Sequence, residues 1–398
     1  MNKNIIAEGT TMGTTTHNHK EHTTAIAPFH SAFFQSLHKE QWQEVRLGEV
    51  AEIKTDIWKV GGEQEQYVGL EHIAADSLRL CGVGNSNEVS SNKYIFKEDD
   101  ILFGKLRPYF RKIIKAKFKG ICSTDIWVIR AKQNINQTFL FYFFANKTLI
   151  DLSYSSSKGT RMPRADWNFL SQTTWLIPPL KVQQQIAEIL SSLDDKIDLL
   201  HRQNKTLESL SLTLFRHTFI DNPKRNEWEM GKLGDYVDIS SGKSLKREYF
   251  KEDGKYDILG ANGIIGRSDK YLYDETLIYT GRVGTLGKIF IIDFPKKVWL
   301  SDNTLIIKPK KQYLYFIYFL SQDLKLENYD VGSTQPLIRQ GDLLKIEIVK
   351  PNDKLILEFE NMAKGFFDKI HNNAKQIQNL QSMRDMLLAK ILNEKMEV

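Results

Sequence analysis

The chain has 398 residues, 41% hydrophobic and 11% aromatic, which is enough for two or three domains with their own cores. A net charge of +6 and a pI near 8.9 fit a nucleic-acid partner without requiring one. Two cysteines, Cys81 and Cys122, give no disulfide framework and no metal-ligand spacing, and the apolar runs are too short to span a membrane. We therefore expect a reduced, cytoplasmic setting.

Residues 1–38 differ in composition from the rest of the chain. They are rich in Thr and His and poor in periodic apolar residues, which is typical of a flexible tail or a short docking arm. His17, His19 and His22 could bind a metal, but no cysteine or carboxylate cluster supports them. We predict a flexible Thr/His-rich tail and no metal site.

The remainder of the chain contains an internal duplication. Residues 42–53 return as residues 228–239, an offset of 186. Further matches follow at offsets of 176 to 178: 104–107 with 281–284, 125–132 with 303–310, and 142–144 with 318–320. A consistent series of matched blocks indicates two copies of one domain, because loops of different length account for the drift.

Each copy carries the pattern of strands and turns. Its apolar runs are short and rich in Ile, Val, Tyr and Phe, and Gly, Asn and Asp separate them. The dense aromatic stretches 139–144 and 313–320 predict buried helices packed on the sheet, in preference to exposed platforms for stacking bases. We predict two mixed, strand-rich domains, at residues 39–179 and 221–350.

Two long helices are predicted, at residues 180–220 and 351–398. Their apolar residues repeat in heptads, and the second helix matches the first at an offset of 173. A helix with one apolar seam needs a partner, and an antiparallel pairing places Asn204 opposite Asn373. A buried amide pair would fix the register of the two helices; the alternative is that both asparagines lie at a solvated edge.

These elements together predict an α+β protein. Two similar mixed α/β domains are separated by a long antiparallel two-helix coiled coil, in a pseudo-twofold arrangement. About 35 helical residues span roughly 50 Å, compared with about 34 Å for one turn of duplex DNA. The pattern favours recognition of one DNA molecule at two short sites.

Basic side chains are concentrated in two loops of copy one. Residues 101–119 carry seven Lys and Arg residues and no acidic residue, and a second loop precedes the final strand. Lys and Arg neutralise phosphates, and Arg also binds guanine edges. The alternatives are a solvated strand face and an ordinary structural turn. The candidate DNA contacts in copy one are Lys105, Arg107, Arg111, Lys112, Lys158, Arg161 and Arg164.

Copy two is less basic at the equivalent positions, which we expect if the two copies recognise different sequences. Small residues in its second loop let the backbone approach phosphate, and Gln or Arg can reach a base edge. Its candidate DNA contacts are Lys243, Lys246, Arg247, Arg267, Arg282, Lys288, Gln335 and Arg339.

The sequence does not match the catalytic motifs that its residues suggest. A Gly-Lys-Ser occurs at residues 242–244, but the first glycine of a P-loop would fall at Val237. The Asn/Asp-Pro-Pro-aromatic motif of amino-methyltransferases is missing, and no carboxylate cluster suggests a nuclease. We expect a non-catalytic protein that binds no cofactor and no metal.

The combination resembles the specificity subunit of Type I restriction-modification systems. The resemblance covers residues 40–395 and rests on the Trp…Leu-Gly-Glu/Asp openings, the segment 100–108, the Gly-Thr and Ser-Thr loops, and Ile177-Pro178-Pro179-Leu180 entering a long helix. It implies that each domain is a target recognition domain for one half of a bipartite DNA site. It also implies that the helices are conserved spacers that bind two modification subunits. S-adenosylmethionine, ATP and Mg are expected on the methyltransferase and motor-endonuclease partners.

The resemblance implies a domain order and leaves alternatives. The order is a tail (1–38), the first recognition domain (39–179), a central spacer helix (180–220), the second recognition domain (221–350) and a C-terminal spacer helix (351–398). One alternative is the recognition subunit of a related restriction class whose modification and cleavage functions share another chain. Another is a protein-only coiled-coil adaptor, which predicts no salt-sensitive affinity for DNA. A stand-alone methyltransferase is disfavoured by the missing motifs.

Overall fold

The structure is a computed structural model that describes residues 41–156 and 162–392. It divides into two compact units. The described residues of one unit are 41–201, except for 157–161, with 374–392; those of the other are 202–373. Both divisions fall within the long helices, so each unit contains one copy of the repeat and part of each helix.

Copy one lies in the first unit. Its strands in the described ranges are β1 (Gln43–Arg46), β2 (Ala51–Lys54), β3 (Ile57–Trp58), β4 (Gln66–Val68), β5 (Gly84–Asn85), β6 (Lys93–Phe96), β7 (Ile101–Gly104), β8 (Ile113–Lys115), β9 (Gly120–Cys122), β10 (Ile126–Ala131) and β11 (Thr174–Ile177). Its helices are α1 (Leu47–Val50), α2 (Gln137–Ala145), α3 (Lys147–Ser155) and α4 (Trp167–Leu170). The long helix α5 (Leu180–Phe215) follows and ends in a π-helical turn, Arg216–Ile220.

Copy two lies in the second unit. Its strands in the described ranges are β12 (Glu229–Lys232), β13 (Val237–Ser241), β14 (Tyr256–Gly260), β15 (Gly263–Ser268), β16 (Tyr273–Gly281), β17 (Ile289–Leu300), β18 (Thr304–Pro309) and β19 (Glu347–Lys350). Its helices are α6 (Leu233–Tyr236), α7 (Leu314–Asp323) and α8 (Gln340–Leu344). The second long helix is α9 (Asp353–Leu392). We call α5 and α9 the spacer helices.

The duplication predicted from the sequence is confirmed by the strand pairing. Copy one has the strand order β2-β10-β7-β8, and copy two repeats it as β13-β18-β16-β17. The register agrees as well: Gly104 faces Ile126 in copy one, and Gly281 faces Thr304 in copy two. In each copy the first and last strands pair antiparallel, β1 with β11 and β12 with β19. The two copies therefore share one sheet topology.

The copies differ at the periphery of this shared sheet. In copy one, β3, β4, β5, β6 and β9 form a separate five-stranded sheet. In copy two, β14 and β15 extend the shared sheet to six strands, and β17 is 12 residues long. The copies therefore differ in what is added to the shared four strands and in the length of the last of them, while the order of the four strands is the same.

The aromatic stretches form buried helices, as the sequence predicts. Every residue of α2 from Phe139 to Ala145 is buried, and so are Tyr313 and the residues of α7 from Tyr315 to Ser321. Burial of each phenylalanine contributes about 1.5–3 kcal/mol through the apolar area removed from water. These helices therefore supply the core of each copy and are not available for stacking bases.

Within each unit, the portions of the spacer helices pack antiparallel. Ile197 and Leu200 of α5 cluster with Ile377 and Leu380 of α9 in the first unit. In the second unit the Asn373 Nδ2 donates to the Asn204 Oδ1 at 2.8 Å and to the Gln203 Oε1 at 2.9 Å. Asn373 is fully buried, so the two asparagines meet in the layer that the heptads require and not at a solvated edge.

Candidate nucleic-acid interface

In copy one, the two loops predicted to contact DNA lie against each other. The first follows β7 at residues 105–107, and the second precedes α4 at residues 163–165. The Arg107 N–H donates to the Pro163 carbonyl at 2.8 Å, and the Ala165 N–H donates to the Lys105 carbonyl at 2.9 Å. Leu106 and Arg164 form a β-bridge between them. We call these two segments the loop pair of copy one.

Copy two builds the same loop pair from residues 282–284 and 336–338. The Gly284 N–H donates to the Pro336 carbonyl at 3.0 Å, and the Ile338 N–H donates to the Arg282 carbonyl at 2.9 Å. Val283 and Leu337 form the equivalent β-bridge. Two loops that are about 55 residues apart in the sequence therefore present one continuous surface in each copy.

The loop pair of copy one carries three of the predicted basic residues. Arg107 is exposed, and Lys105 is half-buried. The exposed Arg164 donates from its Nε to the Asp125 Oδ1 at 3.0 Å, which orients the guanidinium while its other nitrogens remain available as donors. The surface therefore combines one oriented guanidinium with an exposed arginine and a half-buried lysine.

The loop pair of copy two has a different chemistry. Arg282 is half-buried, whereas Gln335 and the adjoining Arg339 are exposed. A Cβ placed on Gly284 would lie 3.6 Å from the Gln335 Nε2, so the amide lies directly over the first loop. The turn that carries Gln335 is held by Asp330, whose Oδ1 accepts from the Gly332 and Leu337 N–H groups, both at 2.8 Å. These hydrogen bonds also lower the pKa of Asp330.

The backbone of the first loop is left-handed at two places in each copy. Arg107 and Arg111 have φ values of 51° and 47° in copy one. The strand pairing aligns them with Gly284 and Gly287 of copy two, which have φ values of 83° and 79°. Non-glycine residues seldom adopt this conformation without a functional or structural cause.

Three of the predicted DNA contacts have partners within the protein. Arg111 donates to the Ala145 carbonyl and pairs with Asp76 and Asp385, and only 12% of its side chain is exposed. The Lys112 Nζ donates to the Leu70 carbonyl at 2.6 Å. Arg267 lies 3.5 Å from Asp257, whose side chain is 2% exposed and also pairs with Lys296. Arg111 and Arg267 therefore pair with carboxylates and Lys112 with a backbone carbonyl, which gives all three a structural role; their contact with DNA stays a prediction.

The other candidates in copy two lie beside the shared sheet. The Lys243 N–H donates to the Leu300 carbonyl just after β13, and Lys243 is exposed. Lys246 and Arg247 are exposed on the following turn, where Lys246 lies 3.9 Å from Glu248. The Lys288 Nζ donates to the Asn262 Oδ1 at 3.0 Å. Lys158 and Arg161 of copy one, like the histidines of the tail, lie outside the described residues.

A polar network beside copy one was not predicted from the sequence. Arg384 of α9 is buried, with 1% of its side chain exposed, and pairs with Asp194 of α5 at 2.8 Å and with Asp385 at 3.1 Å. The Tyr142 hydroxyl donates to the other Asp194 oxygen at 2.7 Å. The signal was an arginine at an apolar heptad position, which requires an acidic partner on the facing helix.

Two further observations concern the described part of the chain. His, Cys, Asp and Glu side chains of residues 41–156 and 162–392 do not gather in groups of three or more that would hold a metal ion. No helix in these ranges carries an apolar stretch of the length that a bilayer crossing needs.

Comparisons with known proteins agree with the duplication. The family model for the type I restriction modification DNA specificity domain matches residues 39–209 and 225–377. The MjaIX specificity subunit of a type I restriction enzyme from Methanocaldococcus jannaschii is 28% identical over 299 residues, covering 66% of this chain and 69% of that protein. The MjaVIII specificity subunit from the same organism is 26% identical over 415 aligned positions, covering 92% of this chain and 96% of that protein.

A solved structure has the same fold. The crystal structure of the S subunit of a type I restriction-modification system from M. genitalium matches with a TM-score of 0.54 and 16% sequence identity. The match covers 89% of this chain and 97% of that one. At this identity the likeness concerns the fold alone.

Proposed function

The chain belongs to the family of type I restriction-modification DNA specificity domains, and we propose that it is a specificity subunit in which each copy recognises one half of a bipartite DNA target. One observation carries the proposal. The same loop pair is built in both copies by equivalent backbone hydrogen bonds, but it carries different side chains in each. A shared scaffold with different polar side chains is what recognition of two different half-sites requires.

The side chains of each loop pair suit the edges of base pairs. Arg107 and Arg164 can donate in bidentate fashion to guanine, and Gln335 can pair with adenine in the same manner. Lys105, Arg282 and Arg339 can neutralise phosphates or reach guanine. Lys243, Lys246, Arg247 and Lys288 would add phosphate contacts at the side of copy two. The two half-sites should therefore differ in sequence.

The spacer helices would provide the docking surface for two modification subunits. In this proposal the chain contributes recognition and assembly and no catalytic residue. S-adenosylmethionine would be bound by the modification subunits, and ATP and Mg by the motor-endonuclease subunits that join them. Such a role places the protein with the DNA in the cytoplasm.

The proposal is tested by selecting sequences from a random duplex library with the full chain. We expect enrichment of a motif in two parts separated by a fixed gap. Arg107→Ala should weaken the preference at one half, and Arg339→Ala should weaken it at the other, each by about 1–3 kcal/mol per base contact. Arg202→Ala is the matched control, because Arg202 is an exposed arginine on α5 and belongs to neither loop pair.

Salt dependence separates this function from a protein-only adaptor. The logarithm of the association constant for duplex DNA should fall linearly with the logarithm of the salt concentration. The slope should be about −0.9 for each phosphate contacted. A chain that selects no motif and shows no salt-sensitive binding would be an adaptor. If Arg107→Ala alone removed the sequence preference at both half-sites, the assignment of one half-site to each copy would be contradicted.

A further inference from the structure

The first loop of copy one is connected to the spacer helices by charged side chains. Arg111, at the end of this loop, donates from its Nη2 to the Asp385 Oδ1 at 3.1 Å. The buried Arg384 donates to the same oxygen from its Nη2 at 3.1 Å and from its Nε at 3.2 Å. Asp385 therefore joins the arginine of the loop to the arginine in the core of the helix pair.

Each side of this junction is firmly held. Arg111 also donates to the Ala145 carbonyl at the end of α2 and to Asp76 of the peripheral region. Arg384 is held by Asp194, which in turn accepts from the Tyr142 hydroxyl. Asp385, with 38% of its side chain exposed, is the contact through which both parts are linked. Charge-assisted hydrogen bonds of this kind also fix geometry.

Copy two lacks this junction at the equivalent positions. The sequence offsets align Arg384 with Ser211, Asp385 with Leu212, and Asp194 with Phe367. Phe367 belongs to the hydrophobic core of copy two, and the partly buried Leu212 packs against that core. Phe367 also packs against Tyr318, with ring centroids 6.1 Å apart. Arg111 aligns with Gly287, which has no side chain to extend. The charged junction is thus specific to copy one and is not a general requirement of the fold.

The junction ends at the loop that carries Arg107. The Phe110 N–H donates to the Arg107 carbonyl at 3.1 Å, and the Arg111 N–H donates to the Pro108 carbonyl at 2.8 Å, so residues 107–111 form one tight turn. The turn begins and ends with a left-handed arginine. Holding the guanidinium of Arg111 therefore also sets the direction in which the side chain of Arg107 leaves the turn.

We propose that Asp385 is a positioning residue that holds the turn 107–111 and thereby sets the sequence preference of copy one. This inference rests on the proposed function, since it assigns to a spacer-helix residue an influence on one half-site. Asp385 touches no base in this account. It acts through Arg111, and its removal leaves Arg111 two partners and leaves Arg384 paired with Asp194, so the fold is retained.

The test compares Asp385→Ala with Asp368→Ala in the full chain. Asp368 lies on the same helix in an exposed pair with Lys364, which makes it a matched control. Hydrogen exchange of the Phe110 and Arg111 amides measures the turn without DNA. Selection from a random duplex library measures preference. We expect Asp385→Ala to accelerate exchange in the turn about tenfold and to weaken preference about five- to tenfold at the half-site that Arg107→Ala also affects. Asp385→Glu should restore both.

Each other result would overturn the inference in a distinguishable way. Unchanged exchange in Asp385→Ala would show that Asp385 does not hold the turn, whatever the DNA result. Faster hydrogen exchange in the turn with an equal loss of sequence preference at both half-sites would show that Asp385 has only a structural role. Failure of the unsubstituted chain to select any two-part motif would remove the proposed function itself, and with it the influence on preference.

Discussion

The two copies have opposite kinds of residue at the left-handed positions of their first loops. Copy one has arginines at both left-handed positions, 107 and 111, and copy two has glycines at 284 and 287. Glycine adopts this conformation at little steric cost, whereas a side chain adds of order 1–3 kcal/mol of strain at each position. Arg111 offsets its strain through three hydrogen-bond partners. For Arg107, which is exposed, DNA contact would be the reason that an arginine occupies a strained position.

A second difference concerns how each copy is attached to its portion of the spacer helices. Copy one uses Tyr142, Asp194 and Arg384, and copy two uses Tyr318, Phe367 and Ser211 at the equivalent positions. Buried ion pairs contribute little net stability, because desolvation opposes the Coulombic attraction. Removing only one partner of such a pair is nevertheless costly, because the other charge is left without compensation. The comparison therefore predicts unequal responses to equivalent substitutions.

The largest effect is expected for Arg384→Ala. It removes a buried side chain and leaves the half-buried Asp194 without its cation, and we expect a loss of about 3–5 kcal/mol from the stability of the first unit. Ser211→Ala in the equivalent layer of copy two should cost less than about 1 kcal/mol, because the serine hydroxyl bonds only within its own helix, to the Leu207 carbonyl. Chemical denaturation, monitored by hydrogen exchange in each unit, measures both losses of stability.

Replacement of both charged partners provides the control for that prediction. The double variant Arg384→Leu with Asp194→Leu should recover most of the lost stability, since no uncompensated charge remains. Equal destabilisation by Arg384→Ala and Ser211→Ala would contradict the distinction between the two attachments.

The N-termini of the two aromatic helices give the next comparison. Copy one caps α2 with the neutral Asn136, whose side chain accepts from the Phe139 N–H at 2.9 Å. Copy two uses Glu360, whose Oε1 accepts from the Phe316 N–H at 2.6 Å. Burial raises the pKa of Glu360 to about 7, although the backbone N–H groups of α7 oppose the rise. Copy two therefore has a carboxylate that is costly to ionise.

We expect Glu360→Gln to stabilise the second unit at pH 8 by about 1–2 kcal/mol and to have little effect at pH 5. The folded state holds its proton up to pH near 7, while the unfolded state loses it near 4.5, so stability falls as pH rises between these values. Unfolding midpoints between pH 5 and 8 measure the effect. A Glu360→Gln variant with an unaltered pH dependence would show that Glu360 is not the group responsible.

The smallest effects are expected at the left-handed positions themselves. Gly284→Ala should cost about 1 kcal/mol, because its φ of 83° disfavours any side chain. Arg107→Gly should instead stabilise copy one slightly and weaken its sequence preference to the same extent as Arg107→Ala. Comparing Arg107→Gly with Arg107→Ala separates the backbone strain from the side chain. A stability loss in Arg107→Gly as large as that in Gly284→Ala would argue that Arg107 is held by contacts within the protein.

Much of the architecture could be predicted from the sequence because it is repetitive. The sequence offset between the copies is 186 at the first strand and 173 at the last strand and the spacer helices. In copy one Gln43 faces Ile177, and these offsets lead to Glu229 and Lys350, which face each other in copy two. The heptads similarly require Asn204 and Asn373 to meet, because an antiparallel register is determined once two polar residues must share a layer.

The individual roles of the basic residues could not be predicted in this way. Arg111 belongs to a basic segment, but its partner Asp385 lies 274 residues away in the sequence. Arg267 is matched to the buried Asp257 across a strand pair that the repeat does not contain in copy one. Local charge counts identify a basic loop but do not show which cations the fold already neutralises.

The most direct test of the central claim is single-molecule sequencing of adenine methylation in a host that expresses this chain with the modification subunit encoded beside it. The comparison is the same host with the modification subunit alone. Our account predicts a two-part motif with a fixed gap that appears only when this chain is present, and that becomes degenerate in one half with Arg107→Ala. A stable complex that produces no new methylation, or a motif in one part only, would contradict it.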